Sequence, residues 1–394
     1  MANLFSFQKL YKAYINCRRH KRNTYHAAKF EINFESELLK LEKELQNHTY
    51  EIGRSICFVV EEPSLREVFA ATFRDRVVHH LLYNYLEPVF EPVFIAQSYA
   101  CRKNKGVHRS LNDLQKYIRK VTENNRREAY FIHLDIKGFF MSLNKEILFR
   151  LISNQIKNPE LLWLAKLIIF NDPVKNFAYK GDKSLFDKIP PHKSLFHVPE
   201  NQGLPIGNLT SQFFANVYLN ELDRFAKHIL KAKYYLRYVD DFLLLSDDRE
   251  QLNDWRNAII TFLNKRLKLE LNHQKTIFKN IDRGIDWLGY IVKPSHVLVR
   301  RRIVKNFKRK LFQYNQILEN YFCKKDPSLE LIEKMLAASN SYFGHFKHAD
   351  TFKLRTHLWE KHFQNLNKYI EPKDPGLASL QIKPEFLERA GRAR

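Results

Sequence analysis

Tyr234-Tyr235-Leu236-Arg237-Tyr238-Val239-Asp240-Asp241-Phe242-Leu243-Leu244-Leu245 sets two adjacent carboxylates inside an otherwise aromatic and aliphatic run. The flanking apolar residues read as two short strands, with the acids at the turn between them, where a hairpin can hold both side chains near one metal site. Taken alone, an Asp-Asp pair also suits an ordinary turn, because aspartate side chains bond back to their own backbone.

A third acid gives the pair company. Asp135 closes another apolar run, Tyr130-Phe131-Ile132-His133-Leu134-Asp135-Ile136-Lys137-Gly138-Phe139-Phe140. Magnesium ions take oxygen ligands and keep several waters, so a few carboxylates and the substrate phosphates suffice to place two of them for in-line phosphoryl displacement. That is polymerase chemistry. Between the acid runs lies Gln202-Gly203-Leu204-Pro205-Ile206-Gly207-Asn208-Leu209-Thr210-Ser211-Gln212, followed by Phe213 to Asp223 with helical periodicity. Glycine lets backbone approach a nucleotide closely, and Thr210 or Ser211 is placed to cap the helix start.

In this order, the Asp135 run, the Gly207 loop-helix and the Asp240-Asp241 hairpin resemble the reverse transcriptase family. Leu271-Asn272-His273-Gln274-Lys275-Thr276 resembles the lysine-bearing motif that follows the hairpin, and Trp287-Leu288-Gly289-Tyr290 resembles the primer grip. Upstream, Arg66 to Arg76 and Ser98-Tyr99-Ala100-Cys101-Arg102-Lys103-Asn104-Lys105-Gly106 are similar to fingers motifs, so the likeness covers residues 50–350. It implies an α+β right-hand polymerase with fingers, a palm built on an antiparallel sheet, and a helical thumb. The expected divisions are an N-terminal helical extension (1–50), fingers (51–130), a palm strand with the first acid (131–143), a fingers/palm insertion (144–202), palm (203–295), thumb (296–370) and a disordered tail (371–394).

The resemblance also assigns roles. Asp135, Asp240 and Asp241, with the Ile136 carbonyl, would hold two magnesium ions, manganese being a substitute. Lys275 would protonate the leaving pyrophosphate. Arg66, Phe139, Phe140, Ile206, Gly207 and Gln212 would surround the incoming nucleotide, with Phe140 as the steric gate that favours deoxynucleotides. Arg76, Arg102, Lys103, Tyr238, Trp287, Gly289, Arg301, Lys305 and Lys308 would contact primer or template, Arg76 either doing so or pairing locally. Template RNA, the RNA/cDNA duplex and dNTPs are the implied partners.

Within the family, Ile206-Gly207-Asn208-Leu209-Thr210-Ser211-Gln212 is similar to the form in diversity-generating retroelements, which copy a template-repeat RNA with errors at adenines and work with a small basic accessory protein, often oligomeric. Group II intron enzymes and retrons usually end this motif in Ser-Pro, whereas Gln212 stands here; retroviral enzymes carry glutamine where Ile206 stands. An antiphage-defence reverse transcriptase and a group II intron-like enzyme are the alternatives.

Composition agrees with a polyanion as partner. The 394 residues carry 66 Lys plus Arg against 43 Asp plus Glu, a net charge of +23, and such a field draws nucleic acid. Arg300, Arg301, Arg302, Lys305, Lys308, Arg309 and Lys310 crowd one predicted helix, on which positions 301, 305 and 308 share a face. A second basic cluster, Arg18-Arg19-His20-Lys21-Arg22, precedes an amphipathic run from Phe34 to Leu45. Cys17, Cys57, Cys101 and Cys323 are widely separated without metal-finger spacing, which fits a reducing compartment. No signal-peptide pattern or apolar run of about 18 residues is seen, so a cytoplasmic bacterial, archaeal or phage-encoded protein without a membrane partner is expected. No nuclease arrangement is visible, which leaves target cleavage to another protein.

Overall fold

In the computed structural model, which describes residues 3–19, 24–61, 65–321 and 326–392, the chain begins with helices α1 (Phe7–Arg18), α2 (Tyr25–Ile32) and α3 (Phe34–Gln46). Strands β1 (Ser55–Val60) and β2 (Arg66–Ala70), helices α4 (Phe73–Phe90) and α5 (Val107–Val121), strand β3 (Tyr130–Asp135), helices α6 (Phe139–Ser142), α7 (Lys145–Gln155) and α8 (Pro159–Phe170), and strand β4 (Phe177–Tyr179) follow. Next come α9 (Leu209–Arg224), β5 (Tyr234–Tyr238), β6 (Asp241–Ser246), α10 (Arg249–Phe262) and β7 (Ile277–Asn280). The remainder holds β8 (Ile285–Trp287), β9 (Tyr290–Val292), β10 (Val297–Val299), α11 (Arg301–Glu319), α12 (Leu329–Phe346), α13 (Phe352–His362), β11 (Ile370–Pro372), β12 (Leu380–Ile382) and α14 (Pro384–Arg392). Helices and mostly antiparallel sheets make this an α+β fold. His20, Lys21, Arg22, Glu62, Pro63 and Cys323 lie outside the described residues.

Two compact units emerge, Met1–Gly106 with Ile132–Phe278, and Val107–Phe131 with Lys279–Arg394. The first is built on a four-stranded sheet of order β5-β6-β3-β7. Tyr235, Leu236 and Phe242 to Leu245 are fully buried. A strand pair covered on both faces reads as a continuous apolar run rather than an alternating one, which is why the 234–245 stretch looks as it does. Helix α9 is buried along nearly its whole length, from Phe213 and Phe214 to Leu222, and α4 packs against it.

Several helix starts are written in single side chains. Asn144 accepts from the Ile147 amide, Asn158 from the Glu160 and Leu161 amides, and Asp248 from those of Glu250 and Gln251. Each satisfies an amide that the helix leaves unpaired. The start of α9 differs from the expectation: it lies at Leu209, ahead of both hydroxyl residues. The Asn208 carboxamide accepts from the Ala71 amide (3.2 Å) instead of capping, and the Thr210 hydroxyl bonds to His79 Nδ1 (3.0 Å). Those side chains tie the loop to β2 and α4.

A second small sheet, β2-β1-β4, pairs β1 antiparallel to β2 and parallel to β4. Residues 173–202 pass through four short 3-10 turns and settle on it, burying Leu195 beside Cys57, Phe69 and Met141. Buried Glu67 accepts the Ser194 hydroxyl (2.9 Å) and the Leu195 amide, which pins this insertion to β2.

In the second unit, β10-β9-β8 form a sheet, and α5, α11, α12, α13 and α14 are its helices. The expectation of a disordered tail after residue 370 is corrected here. Strands β11 and β12 pair antiparallel, Leu377, Leu380 and Phe386 are buried, and Asn340 bonds Leu380 through both its carboxamide groups (3.0 and 2.8 Å). Prolines and small residues in this stretch make turns between these anchors.

Candidate active site

The sheet order puts the end of β3 beside the β5-β6 turn, so Asp135 and the Asp240-Asp241 pair come to one end of one sheet. The Ile136 amide donates to the Asp240 carbonyl (3.4 Å), and Tyr238 pairs with Asp241 across the hairpin. Val239 occupies the turn at φ +56°, a left-handed conformation that is unusual for a β-branched residue. It turns the chain between Tyr238 and Asp241, directly ahead of the two consecutive acids.

The acids feel one another. Burial, then the charges of Asp241 and Asp135, push the Asp240 carboxyl up to about 7, although part of its surface reaches solvent. Burial likewise raises Asp135; Lys275 opposes the shift and Asp241 adds to it. The Lys275 ammonium lies 2.9 Å from both Asp135 oxygens, and Asn272 donates to Asp135 Oδ2 at 3.2 Å. Burial alone would pull the Lys275 ammonium down, but the hydrogen bonds and charge of Asp135, with the charges of Asp241 and Asp240, hold it above its ordinary value. His133 Nε2 stands 3.3 Å from Asp241 Oδ1.

Among the described residues, no three His, Cys, Asp or Glu side chains stand as a preformed metal cage. The donor set nonetheless fits a hard divalent cation. Three carboxylates offer the oxygen donors that such an ion would take, and Asp240 is raised first by burial and then by the charges of Asp241 and Asp135. Lys275 bonds both Asp135 oxygens, so an ion held there would have to displace its ammonium.

Gly207 adopts φ +116°, and a Cβ there would come within 2.6 Å of Val68 and 3.4 Å of the Phe69 carbonyl. Ile206 accepts the Phe69 amide through its carbonyl (2.9 Å) and packs half-buried against the Leu195 cluster. Gln212 is exposed on the first turn of α9. Phe140 is half-buried beside Phe139, ring centroids 5.4 Å apart, whereas Phe139 itself is 2% exposed. The expected nucleotide contact through the Phe139 ring is therefore corrected: that ring is core. Arg66, half-buried, opens β2 and pairs with Val60.

Two of the expected primer or template cations bond within the chain. Arg102, its side chain 5% exposed, is consumed by the Glu91 carboxylate and by the Ile95 and Ser98 carbonyls (2.6 and 2.9 Å), so the expected nucleic-acid contact through it is corrected. Arg76 is half-buried and donates to the Ala71 carbonyl at 2.9 Å, a local bond of the kind that one of its two expected roles describes. Lys103 is exposed and meets Glu87 at 2.8 Å, and Tyr238 is half-buried.

In the second unit, Trp287 is 1% exposed and donates to the Ser110 hydroxyl (2.8 Å), so its indole is a core anchor rather than the expected primer contact. Gly289 follows at φ +93° in the β8-β9 turn, and a Cβ there would meet Ile303 and His345 at 3.1 and 3.2 Å. Arg301 and Lys305 are exposed and Lys308 half-buried on α11. Asn272 and His133 escaped the sequence reading. Asn272 lies within the lysine-bearing motif, in which only Lys275 carries an expected role, while His133 carries only a period-two signal, facing the same side of β3 as Asp135.

A family model described as "Reverse transcriptase (RNA-dependent DNA polymerase)" matches residues 61–292. Among curated proteins, the chain is 22% identical to Group II intron-encoded protein LtrA of Lactococcus lactis subsp. cremoris, over 70% of this chain and 53% of that protein. It is 23% identical to Protein YkfC of Escherichia coli (strain K12), over 68% of this chain and 72% of that protein. The chain thus spans about half the length of the Lactococcus protein. Among solved structures, a telomerase from Candida albicans in complex with a fragment of telomeric RNA is similar at TM-score 0.45 and 12% identity, over 87% of this chain and 63% of that one.

Proposed function

The chain belongs to the reverse transcriptase (RNA-dependent DNA polymerase) family, and from that premise we propose that it is an RNA-directed DNA polymerase that extends a primer with deoxynucleotides along an RNA template. The observation that carries this is the meeting of Asp135 with Asp240 and Asp241 at one sheet end, where burial raises Asp135 and Asp240 and the charge of Asp241 adds to both. Asp135, Asp240 and Asp241, with the Ile136 carbonyl, would hold two magnesium ions, with manganese as a substitute, which when bound supply charge neutralisation at the attacking and departing oxygens.

The protein's own contribution is positioning and electrostatics. Gly207 lets the loop before α9 lie against β2, and half-buried Phe140 offers an aromatic edge against a ribose 2′-hydroxyl. Arg66 would supply a cation for the triphosphate, and Lys275, once displaced from Asp135, would protonate the departing pyrophosphate. Residues 51–130 would then serve as fingers, 131–143 and 203–295 as palm, and 296–370 as thumb, with Lys103, Tyr238, Arg301, Lys305, Lys308 and the Gly289 turn facing primer or template.

At finer grain, we infer an enzyme of a diversity-generating retroelement that copies a template-repeat RNA into adenine-mutagenised cDNA in the cytoplasm, alongside a small basic accessory protein. Ile206 and Gln212 support this: a half-buried aliphatic residue beside the nascent pair donates no hydrogen bond, and an exposed glutamine replaces the proline of related forms. The group II intron-like reading is favoured by the relatives. Primer extension on RNA with Asp240→Asn tests the activity, with loss of deoxynucleotide incorporation expected. Error rates opposite the four template bases, with and without Ile206→Gln, test the subtype. Equal errors everywhere, unmoved by that substitution, remove the retroelement reading.

A further inference from the structure

We propose that Arg237 is a positioning residue for nucleotidyl transfer, holding the turn that presents Asp240 and Asp241 through the Val239 carbonyl. The inference rests on the polymerase reading above. Arg237 and Asp223 are both fully buried as an ion pair. Arg237 Nε and Nη2 each donate to an Asp223 oxygen at 2.7 Å, Nη2 donates also to Ser98 Oγ at 2.9 Å, and Nη1 donates to Asn216 Oδ1 at 3.3 Å and to the Val239 carbonyl at 2.9 Å. A guanidinium has five N–H donors, and all five are matched.

The acceptors come from separate places in the chain. Asp223 and Asn216 lie on α9, Ser98 belongs to the segment before α5, and Val239 is the turn itself. The Tyr235 hydroxyl adds a further bond to Asp223 Oδ1 (2.7 Å), and the Arg237 backbone bonds to Gln97 and Tyr99 (2.9 and 3.0 Å). Sequestering an ion pair this completely is a poor way to gain stability, since well-packed apolar residues commonly do as well. What an apolar pair cannot supply is a donor aimed at the Val239 carbonyl. Val239 needs that support: at φ +56° its branched side chain disfavours the conformation that aims the two acids. Arg237 joins α9 to the turn peptide that immediately precedes both carboxylates.

The test is single-nucleotide primer extension on an RNA template, measuring kcat, the dNTP KM and the Mg2+ concentration for half-maximal rate. Arg237→Lys keeps the charge but replaces the planar fork with a single ammonium. It is expected to lower kcat about 10- to 100-fold with little change in dNTP KM, as a small misplacement of reacting groups would, and to raise the Mg2+ requirement several-fold. Adding Val239→Gly to Arg237→Lys is expected to restore at least half of the logarithmic loss, because glycine takes a positive φ without strain. Wild-type kcat and Mg2+ requirement in a folded Arg237→Lys protein overturn the proposal. So does a loss that leaves the Mg2+ requirement untouched and that Val239→Gly does not repair. If Arg237→Lys does not fold, Ser98→Ala decides: removing one anchor of Nη2 should raise the Mg2+ requirement and lower kcat a few-fold, and unchanged values overturn the proposal. Asp240→Asn in the same assay separates the two levels, since incorporation surviving that substitution sinks the polymerase reading itself.

Discussion

His79 is a base kept neutral by its surroundings. It lies on α4, shares a hydrogen bond with Thr210 at the start of α9, and burial, opposed by Asp75 and assisted by Arg76, lowers it to about 4. In the unfolded chain it would titrate near 6.5. Protons therefore bind the unfolded state first, so the stability this site contributes is complete above about pH 6.5 and is lost as pH falls towards 4, on the order of 3 kcal/mol in all. Urea midpoints measured at pH 7.5 and pH 5 should fall more steeply for the parent than for His79→Gln; parallel losses in the two proteins would show that His79 does not set the acid limit. Gly207 makes the opposite kind of demand, for space and handedness. Gly207→Ala puts a methyl within 2.6 Å of Val68 at φ +116°, and should cost about 1–3 kcal/mol in urea unfolding. An unchanged midpoint would mean that the loop relaxes freely away from β2.

Elements that carry their own periodicity were legible in the sequence, and elements held by distant side chains were not. The β5-β6 hairpin announces itself through Tyr234 to Leu245, and α9 through the apolar run after Gln212, because strand burial and helix periodicity are local properties. The three acids were legible for the same reason: a carboxylate in an apolar strand end stands out residue by residue. Arg237 did not stand out, since its matched acceptors lie as far off as Ser98 and Asp223. Nor did the inward turn of Arg102, which depends on Glu91 and two carbonyls. The terminal hairpin and α14 are the clearest case. Their anchors are Asn340 on Leu380, and Arg355 Nη1 on the Gly376 and Leu377 carbonyls at 2.6 and 2.8 Å, side chains remote in sequence from the stretch they order. Phe386, 1% exposed and edge-on to Tyr369 at 5.0 Å, closes this structure. Phe386→Ala should therefore destabilise the second unit by about 3–5 kcal/mol, read from thermal or denaturant unfolding. A loss within experimental error would mean that this tail contributes nothing to the folded unit.

Across the whole molecule, the net charge of +23 and the acidic sheet end have opposite tasks. Under the proposed function the carboxylates would need cations to offset their mutual repulsion, while the rest of the surface would draw a polyanion to them. Surface charge without a defined task would only aid solubility, and the two possibilities differ in how binding responds to salt. Cations that lie on phosphates release condensed counterions when the complex forms, so each contributes about 0.7–0.9 to the slope of log affinity against log salt, the lower figure for single strands; cations that merely face water contribute nothing. Arg301, Lys305 and Lys308 share one face of α11 and form no ion pair with one another, being like-charged. Replacing all three with alanine should weaken binding to an RNA–DNA duplex and reduce the slope by about 2–3, equally for any sequence, because phosphate contacts position the duplex without reading its bases. Fluorescence anisotropy across a salt series, on two duplexes of unrelated sequence, measures both quantities. A parallel displacement of the line with its slope intact would place the α11 face in solvent and leave the duplex track to other basic surfaces; a change in slope confined to one sequence would mean that these side chains read bases instead.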